Sequence, residues 1–357
     1  MALFDRMLKD SETLFKNTVP LDYDYLPKLI NYREQEQFQM AACIKPLFQK
    51  RNGRNLFIYG QPGIGKTVAC RHVLEEMEEE SEEIIPLYVN CWQKNTSFKI
   101  LMEICELLNY KFTHNKKTDE LFAVVKGIIN KKSAVFVFDE VDKLEDIDFL
   151  YSILEEIYRK SIFLITNERD WLAELEDRIR SRLTPEILEF RPYSAAETDG
   201  ILRERIQFAF YDRVWQEDAI AFAVNETTAV GDIRSGLFIL KEAGTAAEDR
   251  ASRTITVGDV EKAVAKLAAF APKKSTELED DSREILAIVK QHSGKKIGEL
   301  FQLYQQAGGT AVYKTFQRRI AKLDSGGFIT TEKIDGGKEG KTTLVSFRDV
   351  TKKLTDF

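Results

Sequence analysis

The sequence predicts an α/β chain built on a parallel sheet, followed by a helical lid and a C-terminal winged helix, and three observations predict it. Short apolar runs alternate with helix-like patterns as far as Phe190. The pattern is all helical from Ser194 to about Phe270. A compact stretch from Ser282 onward reads as three amphipathic helices and a hairpin. Strand–helix alternation implies a parallel sheet covered on both faces, because every parallel connection must cross over the sheet. The expected domains are 1–192 for the sheet, 193–272 for the lid and 280–350 for the winged helix.

The expected strands are Leu56–Gly60, Pro86–Asn90, Ala134–Asp139, Ser161–Thr166 and Ile187–Phe190. Val135-Phe136-Val137-Phe138 shows no polar alternation, as befits a strand buried on both sides. Helices are expected over Thr67–Glu80, Ser97–Leu108, Thr118–Asn130 and Phe149–Arg159, with the acidic run Glu75–Glu83 ending the first of them in solvent. Ser194 with Glu197 forms a capping box that opens the lid, and Gly258-Asp259 follows another helix start. Pro272-Lys273-Lys274-Ser275-Thr276 reads as a linker. Beyond it come helices at Ser282–Gln291, Ile297–Gln306 and Val312–Leu323. Phe316, Ile320 and Leu323 share a face of the last, and a hairpin with a Gly-rich tip at Asp335–Gly340 follows.

The chain has 357 residues and a net charge of −6. Residues 282–357 hold 14 Lys and Arg against 8 Asp and Glu, an excess of six, so the remainder carries −12. Such asymmetry marks the tail as the candidate nucleic-acid-facing part. No apolar run approaches a membrane span. Asp5, Asp10 and Glu12 interrupt any signal-peptide core, so the expected location is cytoplasmic and nucleoid-associated, with no membrane partner. Cys43, Cys70, Cys91 and Cys105 form no C-x-x-C and are expected to be reduced. His72, His114 and His292 lack metal-ligand spacing.

The chemistry begins at Gly60-Gln61-Pro62-Gly63-Ile64-Gly65-Lys66-Thr67, a Walker A pattern between an expected strand and an expected helix. Glycines let backbone N–H groups turn toward phosphate, and the helix N-terminus faces the same anion. Gly63, Ile64, Gly65, Lys66, Thr67 and Val68 are therefore expected to hold ATP or ADP, with Lys66 on the β- and γ-phosphates and Thr67 on Mg²⁺. Asp139-Glu140 closes the third strand, where ligands bind in such sheets. Asp139 is the second Mg²⁺ candidate and Glu140 the general base. Asn167, at the next strand tip, is placed to orient the lytic water. Arg182 is the candidate arginine finger for a neighbouring subunit. Arg234, in Gly231-Asp232-Ile233-Arg234, is placed to fold down on the nucleotide.

Together these pieces resemble the AAA+ superfamily, and within it the archaeal origin-recognition/cell-division-control (Orc/Cdc-type) replication initiators. Tyr25-Leu26-Pro27 and Tyr32-Arg33-Glu34-Gln35 resemble the family's stretch leading to the adenine pocket. Phe138–Leu144 resembles its Walker B, Thr166-Asn167 its sensor 1, Phe190-Arg191-Pro192-Tyr193 the lid entry, and Gly231–Arg234 its sensor 2. The resemblance implies that Tyr193 and Arg205 contact nucleotide, and that a DNA-touching insert lies between Asn90 and Ala134, with Trp92–Phe98 the candidate. It also implies a slow, switch-like ATPase that binds duplex origin DNA, self-associates on it and recruits or loads the replicative MCM helicase. In the winged helix, Lys314, Thr315, Arg318 and Arg319 would enter the major groove, while Lys338 and Lys341 on the wing would meet phosphates or the minor groove. The alternative is an AAA+ regulatory ATPase whose winged helix docks protein partners.

Overall fold

A computed structural model describes residues 13–23, 25–27, 30–270, 280–309, 311–325, 329–335 and 341–347. It divides into two compact units, Met1–Ala269 and Phe270–Phe357.

The first unit holds a five-stranded parallel sheet in the order β2-β3-β4-β1-β5. The strands are β1 Leu56–Tyr59, β2 Ile84–Asn90, β3 Ser133–Asp139, β4 Lys160–Thr166 and β5 Glu186–Glu189. Every residue of β1, β3 and β4 is buried. At the edge, β5 leaves Glu186 partly buried and Ile187 and Glu189 exposed, and charge on an edge strand discourages further pairing. On one face Phe57, Leu87, Phe136, Phe138 and Leu164 pack under helices α3 Ser97–Leu107, α4 Thr118–Ile129 and α5 Asp148–Glu156. On the other, Ile58, Val135, Val137, Phe163 and Ile165 pack under α1 Glu34–Phe48 and α2 Lys66–Glu80. Two short helices, α6 Trp171–Glu174 and α7 Asp177–Leu183, lead into β5. Helix α1 is an element the sequence reading did not assign. Its buried residues Met40, Cys43, Ile44 and Leu47 repeat with helical spacing.

Helices α8 Ala195–Ala209, α9 Glu217–Val230, α10 Ile233–Asp249 and α11 Val257–Phe270 follow. The Ser194–Glu197 capping box opens α8 as expected. These helices share a core with Leu14 and Leu21. Residues 13–22, grouped with the sheet on sequence grounds, thus pack against the helices instead. Leu14 N–H donates to Glu248, Lys16 N–H to Ala209 C=O, and Lys241 pairs with Asp22. Gly244 makes room for this segment, since a Cβ there would come within 2.4 Å of the Phe15 ring. The four cysteines are buried free thiols.

The second unit contains α12 Asp280–Gln291, α13 Ile297–Gln306 and α14 Tyr313–Ser325 with a β6-β8-β7 sheet, of strands β6 Lys295–Lys296, β7 Ile329–Asp335 and β8 Lys341–Phe347. Both pairings are antiparallel, so the unit holds the three helices and the hairpin that the sequence led us to expect. Phe316, Ile320 and Leu323 are buried in its core with Leu300, Tyr304 and Val345, as the helical spacing predicted. The linker at 272–276 and the wing tip at 336–340 lie outside the described residues. Among the described residues, no helix is long and apolar enough to cross a membrane.

Candidate functional site

The loop between β1 and α2 owes its shape to glycines. Gly63 (φ +72°) and Gly65 (φ +89°) are left-handed, a region side chains disfavour. A Cβ on Gly63 would fall 1.8 Å from Asp232 Oδ1, and one on Gly65 2.7 Å from the Tyr193 hydroxyl. The loop delivers Lys66 to its own mouth, where the ammonium donates to Gly60 C=O at 2.7 Å, Gln61 C=O at 2.8 Å and Asn167 Oδ1 at 2.9 Å. Burial pushes the Lys66 pKa down to about 8. The nearby carboxylates Asp139, Asp142 and Glu140 oppose that fall, and Arg234 adds to it.

Parallel pairing brings the carboxyl ends of the strands to one edge. Tyr59 pairs with Thr166, and Asn90 with Asp139. Asp139 Oδ2 accepts from the Thr67 hydroxyl at 2.6 Å and from the Tyr88 hydroxyl at 2.8 Å. Its Oδ1 accepts from Glu140 N–H at 2.9 Å. Glu140 itself has φ +57°, a strained conformation for a side-chain-bearing residue. Burial, then Asp139 and Asp142, raise the Glu140 pKa above the usual carboxylate range. Thr166 donates to Asp142 at 2.8 Å, which fixes the strand tip that carries Asn167. The paired oxygens of Thr67 and Asp139 are hard donors of the kind Mg²⁺ takes alongside phosphate and water.

The opposite wall is helical. Asp232 caps α10, accepting from Arg234 N–H at 2.9 Å, and Ile233 N–H donates to Gly63 C=O at 3.2 Å, so the first turn of α10 rests on the glycine loop. The Arg205 guanidinium lies 4.9 Å over the Tyr25 ring. Arg33, wholly buried, donates through Nε (3.2 Å) and Nη2 (3.0 Å) to Ile64 C=O and through Nη2 (2.6 Å) to Arg191 C=O. It stacks 3.9 Å from the Tyr193 ring and pairs with Glu36 at 2.9 Å. One buried fork therefore ties the glycine loop to the lid entry, and its charge is compensated as burial requires. The resulting cleft, about 530 Å³, has Lys66, Thr67, Asp139, Glu140, Asn167 and Arg234 along its length. Tyr25, Leu26, Pro27, Ile30, Ile201 and Leu237 also line it. Its polar residues suit an anion with a divalent cation, and its apolar and aromatic ones a flat ring.

Residues 49–171 match the family model described as AAA domain, and residues 199–265 match the Cdc6 AAA+ ATPase-type lid domain. The chain is 31% identical to ORC1-type DNA replication protein 1 of Sulfurisphaera tokodaii, over 93% of this chain and 90% of that protein. It belongs to the ORC1-type DNA replication protein family. ORC1-type DNA replication protein 2 of Methanosarcina acetivorans is 28% identical, over 94% of this chain and 93% of its own length. In fold, the chain is similar to the Aeropyrum pernix ORC1 protein solved in complex with DNA, with a TM-score of 0.68 at 24% identity, over 95% of this chain and 94% of that one.

In this ORC1-type chain the sequence-derived candidates Gly63, Gly65, Lys66, Thr67, Val68, Asp139, Glu140, Asn167, Tyr193, Arg205 and Arg234 all line one cleft. Two candidates stand apart from it. Ile64 turns its side chain into the core beside α1 and offers only backbone. Arg182 lies on α7, paired with Glu155 and 5.3 Å from the Tyr151 ring. Arg33, Tyr88 and Asp232 were not assigned as site residues. Tyr88 had a signal, since residues two apart on a strand share a face and Asn90 follows it. Arg33 lay in the stretch resembling the approach to the adenine pocket, but its contacts with the glycine loop and the lid entry, 31 and 158 residues away, left no local trace. In the second unit Lys314 and Arg318 are exposed, while Thr315 and Arg319 are partly buried. Lys341 opens β8, and Lys338 lies outside the described residues. Trp92 is 65% exposed, with the Lys143 ammonium 5.4 Å from its ring.

Proposed function

We propose that this ORC1-type protein is an ATP-dependent replication initiator. It binds duplex origin DNA through its winged helix, hydrolyses ATP slowly as a switch, and recruits or loads the replicative MCM helicase. The observation that carries this reading is the meeting of Lys66, Asn167 and Glu140 from the sheet with Arg234 from the helices in one cleft. A site built from both parts responds to the nucleotide it holds. The adenine lies among Tyr25, Leu26, Pro27 and Ile30, near Arg205 and Tyr193. Lys66 and Arg234 meet the terminal phosphates. Thr67 and Asp139 would hold Mg²⁺, which would neutralise phosphate charge when bound. Glu140 accepts a proton from the water whose oxygen attacks the γ-phosphorus. Asn167 orients that water, the bond to the β-phosphate oxygen breaks, and ADP and phosphate leave. Arg182 acts in trans, exchanging Glu155 for a neighbour's γ-phosphate when copies assemble side by side on DNA.

On α14, Lys314 and Arg318 face solvent from a helix whose other face is core, with Thr315 and Arg319 beside them. That arrangement supports reading α14 as the recognition helix. The relatives' naming as DNA replication proteins and the A. pernix ORC1–DNA complex support the DNA reading. The expected salt dependence of duplex binding, measured by anisotropy, is a log–log slope near −5, from about five or six neutralised phosphates. Changing Lys314 and Arg318 together to Ala should weaken binding about tenfold or more and flatten the slope by about two. A flat slope for the native chain would sink the DNA claim and favour a protein-docking winged helix. A footprint on source DNA with and without ATP tests origin recognition directly.

A further inference from the structure

Resting on the nucleotide reading, we propose that Asp232 is the counterion from which a γ-phosphate must take Arg234, and that this exchange sets how strongly the cleft distinguishes triphosphate from diphosphate. The two side chains form a fork-to-carboxylate pair. Arg234 Nε donates to Asp232 Oδ1 at 3.1 Å and Oδ2 at 3.2 Å, and Nη2 donates to Oδ2 at 2.9 Å. The Asp232 carboxylate is also seated on the phosphate loop, so close to Gly63 that a Cβ there would collide with it. The loop carbonyl of Gly63 accepts from Ile233 N–H, which anchors the pair to the loop.

A carboxylate beside a phosphate-binding loop repels the phosphate that the loop would hold unless it is neutralised. Arg234 neutralises it. A terminal phosphate attracts the same guanidinium, so each gain on the phosphate is offset by a loosened pair with Asp232. The diphosphate lacks that competing group and leaves the pair intact. Asp232 therefore narrows the preference for triphosphate, and with it the energetic gap between the two nucleotide states of the lid. The pair is open to solvent, with the Arg234 side chain 52% exposed and that of Asp232 24%. Screening keeps the exchange to a few-fold effect.

The test is Asp232→Asn in the full chain, with ADP and a non-hydrolysable ATP analogue titrated separately by calorimetry. Asn is as good a helix N-cap as Asp, so the start of α10 is preserved. The expected result is a rise of about three- to fivefold in the ratio of triphosphate to diphosphate affinity. In an Arg234→Ala background the same substitution should leave that ratio unchanged. An unchanged ratio in the single variant overturns the exchange. So does a shift that persists without Arg234, because Asp232 would then be acting through Gly63. If the native chain binds neither nucleotide, the nucleotide reading itself fails.

Discussion

Replacing Lys66 with Ala should lower nucleotide affinity at least about 100-fold, the loss of a charge-assisted contact in a largely buried setting. Lys66 is only 7% exposed, and three acceptors aim its ammonium at the loop mouth. Among the described residues, no other Lys lines the cleft. The pH dependence provides a second readout on the same group. Burial holds its pKa at about 8, whereas bound phosphate favours the charged form and raises it. Protons are therefore taken up on binding above that pH. Affinity should be nearly constant below pH 7 and fall as pH rises through 8, approaching tenfold per unit. The Ala variant should lose that limb. Native-like affinity in the variant, with its fold verified by circular dichroism, would remove the phosphate-binding assignment.

Changing Glu140 to Gln should reduce ATP turnover by about 10²- to 10⁴-fold, the usual worth of a general base, while leaving nucleotide affinity within a few-fold. Gln keeps the shape but cannot take the water's proton. Burial and the negative charges of Asp139 and Asp142 raise the Glu140 pKa, which makes it a stronger base than an exposed carboxylate. The sign follows. A raised pKa means the base is deprotonated only at higher pH, so the acid limb of the native rate should lie above the ordinary carboxylate range and vanish in the variant. Single-turnover product analysis distinguishes trapping from weak binding. The variant should hold triphosphate where the native chain holds diphosphate. Equal turnover in both would show that the proton goes elsewhere and that hydrolysis does not run through this carboxylate.

The strands and the glycine loop were legible because their signals are local. Five apolar runs became five strands, although β2, β3, β4 and β5 start earlier than expected, at Ile84, Ser133, Lys160 and Glu186. The start of β4 was hidden because Lys160 looks like a surface residue. In the fold it is buried, and its ammonium donates to Leu154 and Ile157 carbonyls. Helix α1 went unassigned because its polar first turn and Pro46 obscure the spacing of Met40, Cys43, Ile44 and Leu47. The segment 13–22 is too short and irregular in its apolar spacing to reveal its partner. Only the helices that bury Leu14 and Leu21 show where it belongs.

By itself the sequence determined the elements and the chemical groups: the glycine loop before Lys66, the carboxylates closing an apolar strand, and the capped turn that launches Arg234. Each depends on neighbours within a few residues, through dihedral preference, periodicity or capping. The tertiary structure decided which of these groups meet. Parallel register set Asn90 beside Asp139 and Thr166 beside Tyr59. Chain crossing put Arg33 under the loop and Asp232 upon it. Such contacts join residues far apart in the chain, and packing and charge compensation between distant segments leave no periodic trace in either segment alone.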